Sequence, residues 1–244
     1  MRRIATSLVA CALTVIVTAV PARAQLGGWS LSVTAEGGVN IPTRQLGKNS
    51  GTIPQLPVLQ VVADRESSGV VGGGVMLTSP SGETTVRARF LTTLDGSVSG
   101  RLGVCGDDDN PLFQGPLCAP VETTVDMNSF SVDLGFLQGA PGDRVRASLH
   151  IGAGLRTFSF GTNVCEDPTD WQQVCEFTSE IWEDDGGVVP FLLAGLRLNG
   201  DLGPATLWIE GFDQVGRYNG GSDRADGNIQ NDVTVSAGLA VRIF

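Results

Sequence analysis

The sequence predicts an all-β fold, an eight-stranded antiparallel up-and-down transmembrane β-barrel that follows a cleaved signal peptide. Three observations predict it. Eight segments alternate apolar and non-apolar residues with the period of two that belongs to strands. The connections between them run long, short, long, short, long, short, long. No 18-residue apolar stretch follows the amino-terminal leader, so no later segment is suited to span a bilayer as a helix.

The leader comes first. Arg2 and Arg3 are its positive end, Ile4 to Val20 its apolar core, and Ala22-Arg23-Ala24 an A-x-A cleavage site. Residues 1–24 therefore read as a signal peptide and 25–244 as one barrel domain. Leu8-Val9-Ala10-Cys11 resembles a lipoprotein box, but the apolar run continues past Cys11, which argues against lipidation.

The first strand is expected over 29–41. Trp29, Leu31, Val33, Ala35, Val39 and Ile41 lie on one face, with Ser30, Ser32, Thr34, Glu36 and Asn40 on the other, and Pro42 ends the run. A long polar segment follows to about Ser67. The second strand, about 68–78, places Val71, Val75 and Leu77 together and leads into the tight turn Ser79-Pro80-Ser81-Gly82. The third, about 84–94, sets Val86, Ala88, Phe90 and Leu94 against Arg87 and Arg89, and a continuation towards Leu102 is open. A long segment over about 103–122 separates it from the fourth strand, about 124–137. There Phe130, Val132, Leu134 and Phe136 alternate with Ser131, Asp133 and Gly135.

After the turn at 139–143 the fifth strand is the clearest. Val145, Ala147, Leu149, Ile151, Ala153 and Leu155 oppose Arg146, Ser148, His150, Gly152, Gly154 and Arg156. The third long segment covers about 161–187. The sixth strand, about 188–199, has Leu192, Ala194, Leu196 and Leu198 opposite Arg197; the seventh, about 205–215, has Leu207 and Ile209 opposite Trp208 and Glu210. Residues 217–231 are polar. The eighth strand, 233–244, is apolar at every odd position to Ile243. At twelve residues it exceeds an ordinary strand and suits the roughly 9–11 needed to cross a bilayer at a tilt.

The alternation has a physical reason in a membrane. Backbone groups in hydrocarbon must be satisfied within the protein, so strands span only as a closed barrel, with the apolar face on lipid and the polar face in the lumen. Glu36, Arg87, Arg89, Asp133, Arg146, His150, Arg156, Arg197 and Glu210 all fall on the non-apolar face. Eight strands leave room for side chains only, so these residues are expected to form a polar plug rather than line a pore. A soluble barrel of lipocalin type predicts the inverse, with apolar residues inside.

With these features the chain resembles the small eight-stranded bacterial outer-membrane barrels of the OmpA/OmpX-like β-barrel superfamily. The resemblance rests on the signal peptide, the Gly37-Gly38-Val39-Asn40-Ile41-Pro42-Thr43 exit from the first strand, the strand rhythm and the terminal Phe244. It implies an outer-membrane location reached through the signal peptide. It also implies outer-membrane lipid, lipopolysaccharide and the outer-membrane assembly machinery as partners, with Phe244 as the assembly signal, and a monomer. Phe244 is one residue out of phase with the apolar face, so a bulge near the carboxy terminus is expected. Trp29, Phe136 and Phe244 are expected to mark the periplasmic edge of the membrane, and Phe158, Phe160 and Phe191 the outer edge.

Composition narrows the function. The formal net charge is −10, and it becomes −13 when Arg2, Arg3 and Arg23 leave with the leader. That argues against a nucleic-acid binder, which must neutralise phosphates with Lys and Arg. Loss of Cys11 leaves Cys105, Cys118, Cys165 and Cys175, an even number in an exported protein. Disulfides are expected, with the two local pairs chosen over cross-links between the loops. The runs Asp107-Asp108-Asp109 and Glu183-Asp184-Asp185 match no EF-hand spacing and read as solvated loop charge rather than a cation site. Gly72-Gly73-Gly74 sits on a strand without the Lys-Ser/Thr of a phosphate loop. Ser148 and His150 share a face, which suits nucleophilic catalysis, but a histidine hydrogen-bonded within a polar plug is the reading adopted. No cofactor or metal is expected. The function expected is structural or surface-interacting and not enzymatic, with a narrow channel, and then a lipid-modifying enzyme, as alternatives.

Overall fold

A computed structural model describes residues 28–53, 56–102, 121–139, 143–162, 164–165, 178–182, 187–218, 220 and 225–243. Its strands are β1 (Ser30–Pro42), β2 (Gly47–Ile53), β3 (Leu56–Arg65), β4 (Ser68–Thr78), β5 (Thr84–Leu94), β6 (Ser97–Leu102), β7 (Val121–Gln138), β8 (Val145–Phe160), β9 (Val164–Cys165), β10 (Val188–Asp201), β11 (Ala205–Arg217), β12 (Ala225–Gly227) and β13 (Ile229–Arg242).

Eight of these close a barrel. β1, β4, β5, β7, β8, β10, β11 and β13 pair antiparallel in that order, and β13 pairs back onto β1. They are the eight strands expected from the sequence. Partners followed once round the barrel from Ser32 run through Met76, Arg87, Asp133, Gly152, Leu193, Gln214 and Asp232. They return to β1 at Pro42, ten residues further on. That stagger over eight strands tilts them by about 40° and gives a radius of about 8 Å, room for side chains and little else.

The barrel is inverted relative to a soluble domain. Val145, Leu149, Ile151, Leu192, Leu196 and Ile209 lie outward and exposed, while Arg87, Arg89, Asp133, Arg197 and Glu210 lie inward and buried. From Val145 to Leu155, ten steps of about 3.3 Å each at a tilt of about 40° project to about 25 Å, the height of the apolar band on a membrane barrel.

Glycine lets two neighbours approach closely. A Cβ at Gly72 would sit 2.0 Å from the Phe90 carbonyl oxygen, and one at Gly74 2.0 Å from that of Ala88. The glycine run is thus a packing device between β4 and β5.

A second sheet stands on the end of the long connections. It comprises β12, β2, β3, β6, the start of β7, and β9. Leu46, Val61, Ala63, Val98, Ile181, Trp182 and Tyr218 are buried there, so this crown has the ordinary apolar interior of a water-exposed domain. It corrects the expectation that 43–67 is a loop. The third strand also stops at Leu94. Asp95 takes a left-handed φ of 53° and the chain passes into β6 of the crown. The expected bulge is absent among the described residues. β13 keeps register with β1 to Arg242, and the Ile243 amide donates to the Leu31 carbonyl at 2.8 Å. Phe244 lies outside the described residues.

Candidate functional site

The period-two alternation points one side chain in two into the lumen, and the stagger brings residues from six strands to one level. Glu210 on β11 is the hub. Its Oε1 accepts from Arg87 Nη1 at 3.0 Å and Arg89 Nη1 at 2.5 Å, and its Oε2 accepts from Arg197 Nε at 2.8 Å. Arg87 Nε also donates to Asp133 at 2.9 Å, and Arg89 Nε to Ser131 Oγ at 3.1 Å. Glu36 lies 3.5 Å from Arg89 and accepts from Ser236 Oγ at 3.1 Å. Arg89 stacks 3.8 Å from the Phe212 ring centre and Arg197 4.9 Å from that of Trp208. Three guanidinium groups thus face three carboxylates, all buried. A buried charge is costly unless paired, and each charge here has an opposite partner, while Glu36 Oε1, Arg89 Nη2 and Arg197 Nη2 make no hydrogen bond.

Asp133 continues into a relay. Its Oδ1 lies 2.7 Å from His150 Nδ1, and His150 Nε2 lies 2.9 Å from Ser148 Oγ. The carboxylate accepts, so Nδ1 carries the proton and Nε2 accepts from the serine hydroxyl. Asn199 Nδ2 donates to the same Oγ at 3.0 Å. Below the relay, at the end of the short turns, lies a cavity of about 50 Å³ lined in part by Ser148, Asn199, Arg146 and Arg197. Arg146 stands apart from the ion pairs. It is half-buried at this mouth and donates to the Gly82 carbonyl at 3.1 Å.

Towards the crown the inward faces turn apolar, with Val70, Leu91, Leu193 and Phe212 buried. Above them lies a second ionic cluster. Arg156 of β8 and Arg65 of β3 both pair with Asp232 of β13. Arg65 lies 5.3 Å from the Phe158 ring centre, and Arg156 lies 5.7 Å from that of Phe158 and 5.5 Å from that of Phe191. Phe158 and Phe191 are therefore inside the protein, at 2 % and 3 % exposure, not on the outer membrane edge as expected. Each shares parity with an inward arginine of its own strand, Arg156 and Arg197. Phe136 is exposed on the outward face at the turn end, as expected.

Of the expected lumen residues, Glu36, Arg87, Arg89, Asp133, His150, Arg197 and Glu210 meet in one cluster, Arg156 joins the upper one, and Arg146 joins neither. Arg65 and Asp232 were not expected. Asp232 shares parity with Thr234 and Ser236, a usable signal, whereas Arg65 enters only through the crown. The side chains of Cys105, Cys118, Cys165 and Cys175 and both acid runs lie outside what is described, as does residue 25. Among the described residues no three His, Cys, Asp or Glu side chains gather as metal ligands.

No protein-family model matches the chain, and no curated protein matches it in sequence. Among solved structures it is similar to Neisserial surface protein A, at 10 % identity and TM-score 0.44, over 88 % of this chain and 98 % of that one. It is similar to the N-terminal β-barrel domain of Pseudomonas aeruginosa OprF, at 9 % identity and TM-score 0.41, over 86 % and 97 %. It is also similar to the outer-membrane protease OmpT from Escherichia coli, at 13 % identity and TM-score 0.44, over 87 % and 97 %. At these scores the likeness adds no weight to the barrel that the strand pairing already shows.

Proposed function

We propose that this chain is a monomeric outer-membrane barrel whose body is a closed anchor and whose crown serves surface interaction, and that it is not an enzyme. One observation carries the reading: an exposed apolar belt encloses a buried, charge-balanced ionic core. That is the arrangement a bilayer demands and water penalises. The signal peptide exports the chain, Phe244 serves as the assembly signal, and the four loop cysteines form disulfides that brace the crown. Outer-membrane lipid, lipopolysaccharide and the assembly machinery are the partners on this reading.

The Ser148-His150-Asp133 relay favours a hydrolase as a second reading, and its hydrogen-bond directions suit one. The cavity beside Ser148 argues the other way, because about 50 Å³ holds one or two waters and no lipid ester. The relay is assigned to closing the lumen. Two experiments test the proposal. Membrane fractionation of the native protein is expected to place it in the outer membrane, with faster migration on an unboiled gel; a freely soluble periplasmic product refutes it. Planar-bilayer recording is expected to show no steady conductance; a stable open level favours the narrow channel instead.

A further inference from the structure

The two ionic clusters differ in balance. The lower one sets Arg87, Arg89 and Arg197 against Glu36, Asp133 and Glu210. Among the described residues, the upper one pairs both Arg65 and Arg156 with Asp232. Both arginine side chains of the upper pair are almost wholly buried, at 3 % and 0 % exposure. Among the described residues, Arg65 Nε, Arg156 Nε and Arg156 Nη2 meet no acceptor. A buried positive charge with open donors is costly unless an anion joins it. Ring faces of Phe158 and Phe191 offset part of that cost and satisfy none of the three donors.

Arg65, but not Arg156, also lines an open cleft of about 510 Å³. Its other lining residues are Pro42, Thr43, Arg44, Gln45, Asp64 and Asn228. A guanidinium presents a planar fork of donors that matches phosphoryl and sulfuryl oxygens. Two forks arriving from different strands, β3 and β8, suit a group with acceptor oxygens in several directions.

We infer that Arg65, at the cleft, with Arg156 behind it across Asp232, forms an oxyanion site at the base of the crown that takes a single phosphate or sulfate group. The group is either free in solution or carried on a lipid headgroup. The site goes beyond the proposed function and does not depend on it, since it needs only the folded barrel and crown.

The test is titration calorimetry of the full folded barrel in uncharged maltoside micelles, with sodium phosphate run against sodium chloride at equal ionic strength. One saturable phosphate per barrel is expected. Arg156→Gln should weaken it about tenfold or more, and Asp232→Asn, which removes the competing carboxylate, should tighten it about tenfold. Because the two variants move in opposite directions, a folding defect in one does not imitate the result. The exposed turn-end variant Arg242→Gln should leave binding unchanged. Suppression of phosphate binding by a phosphate-bearing glycolipid in the micelle assigns the group to a headgroup; no suppression assigns it to soluble anion. A phosphate response no larger than that of chloride, or Asp232→Asn failing to tighten binding, overturns the site.

Discussion

Replacing Glu210 by Gln removes one charge and almost no volume from the lower cluster. The structure sets the size of the effect. Glu210 accepts from three guanidinium groups, at 3.0, 2.5 and 2.8 Å, at 3 % exposure. Without its charge three buried arginines face two carboxylates. Breaking a buried pair from one side costs about 3–5 kcal/mol, because the partner charge stays desolvated. At about 1.4 kcal/mol per decade that lowers the folding constant by roughly two to three and a half orders of magnitude. Adding Arg197→Met restores two against two, and the double variant should recover at least about 1 kcal/mol relative to the sum of the single changes. The assay is urea unfolding in lipid vesicles, followed by tryptophan fluorescence, with Trp208 beside the cluster, and by the unboiled-gel shift. A Glu210→Gln cost below about 1 kcal/mol, or strict additivity in the double variant, refutes the claim that charge balance closes the lumen.

Three further outcomes are expected. Ile151→Arg, on the outward face at 57 % exposure, should cost about 2–4 kcal/mol in a bilayer, whereas an exposed site on a soluble barrel would lose about 0.5 or less; vesicle unfolding measures it. Gly74→Val should block the heat-modifiable form on a gel, because its Cβ would meet the Ala88 carbonyl oxygen at 2.0 Å. His150→Asn should leave the barrel folded, with Asp133 still held by Arg87. A loss of about 1–3 kcal/mol is expected by urea unfolding, with no change in the lipid A of the host membrane.

The eight barrel strands were legible because each has one apolar and one non-apolar face, and the parity that exposes Leu149 and Ile151 also buries Ser148 and His150. Parity was also enough to turn Phe158 and Phe191 inward. They were misplaced because aromatic residues near a strand end suggest a membrane edge, and here the chain continues above that edge into the crown. The crown itself was not legible. Residues 43–67 carry the breakers Gly47, Asn49, Gly51, Pro54 and Pro57, which hide the strand that buries Val61 and Ala63. Arg65 could be assigned to the upper cluster only from the fold, because its partner Asp232 is 167 residues away.

The central claim is that the outward face meets lipid. Nitroxide labels placed singly at residues 191 to 198 of β10, with the protein reconstituted in vesicles, test it directly. Accessibility to dissolved oxygen should alternate with period two, with maxima at Leu192, Ala194, Leu196 and Leu198, and a water-soluble nickel chelate should reach none of them. Access of the chelate to those four positions, or maxima on the parity of Leu193 and Arg197, would contradict the account.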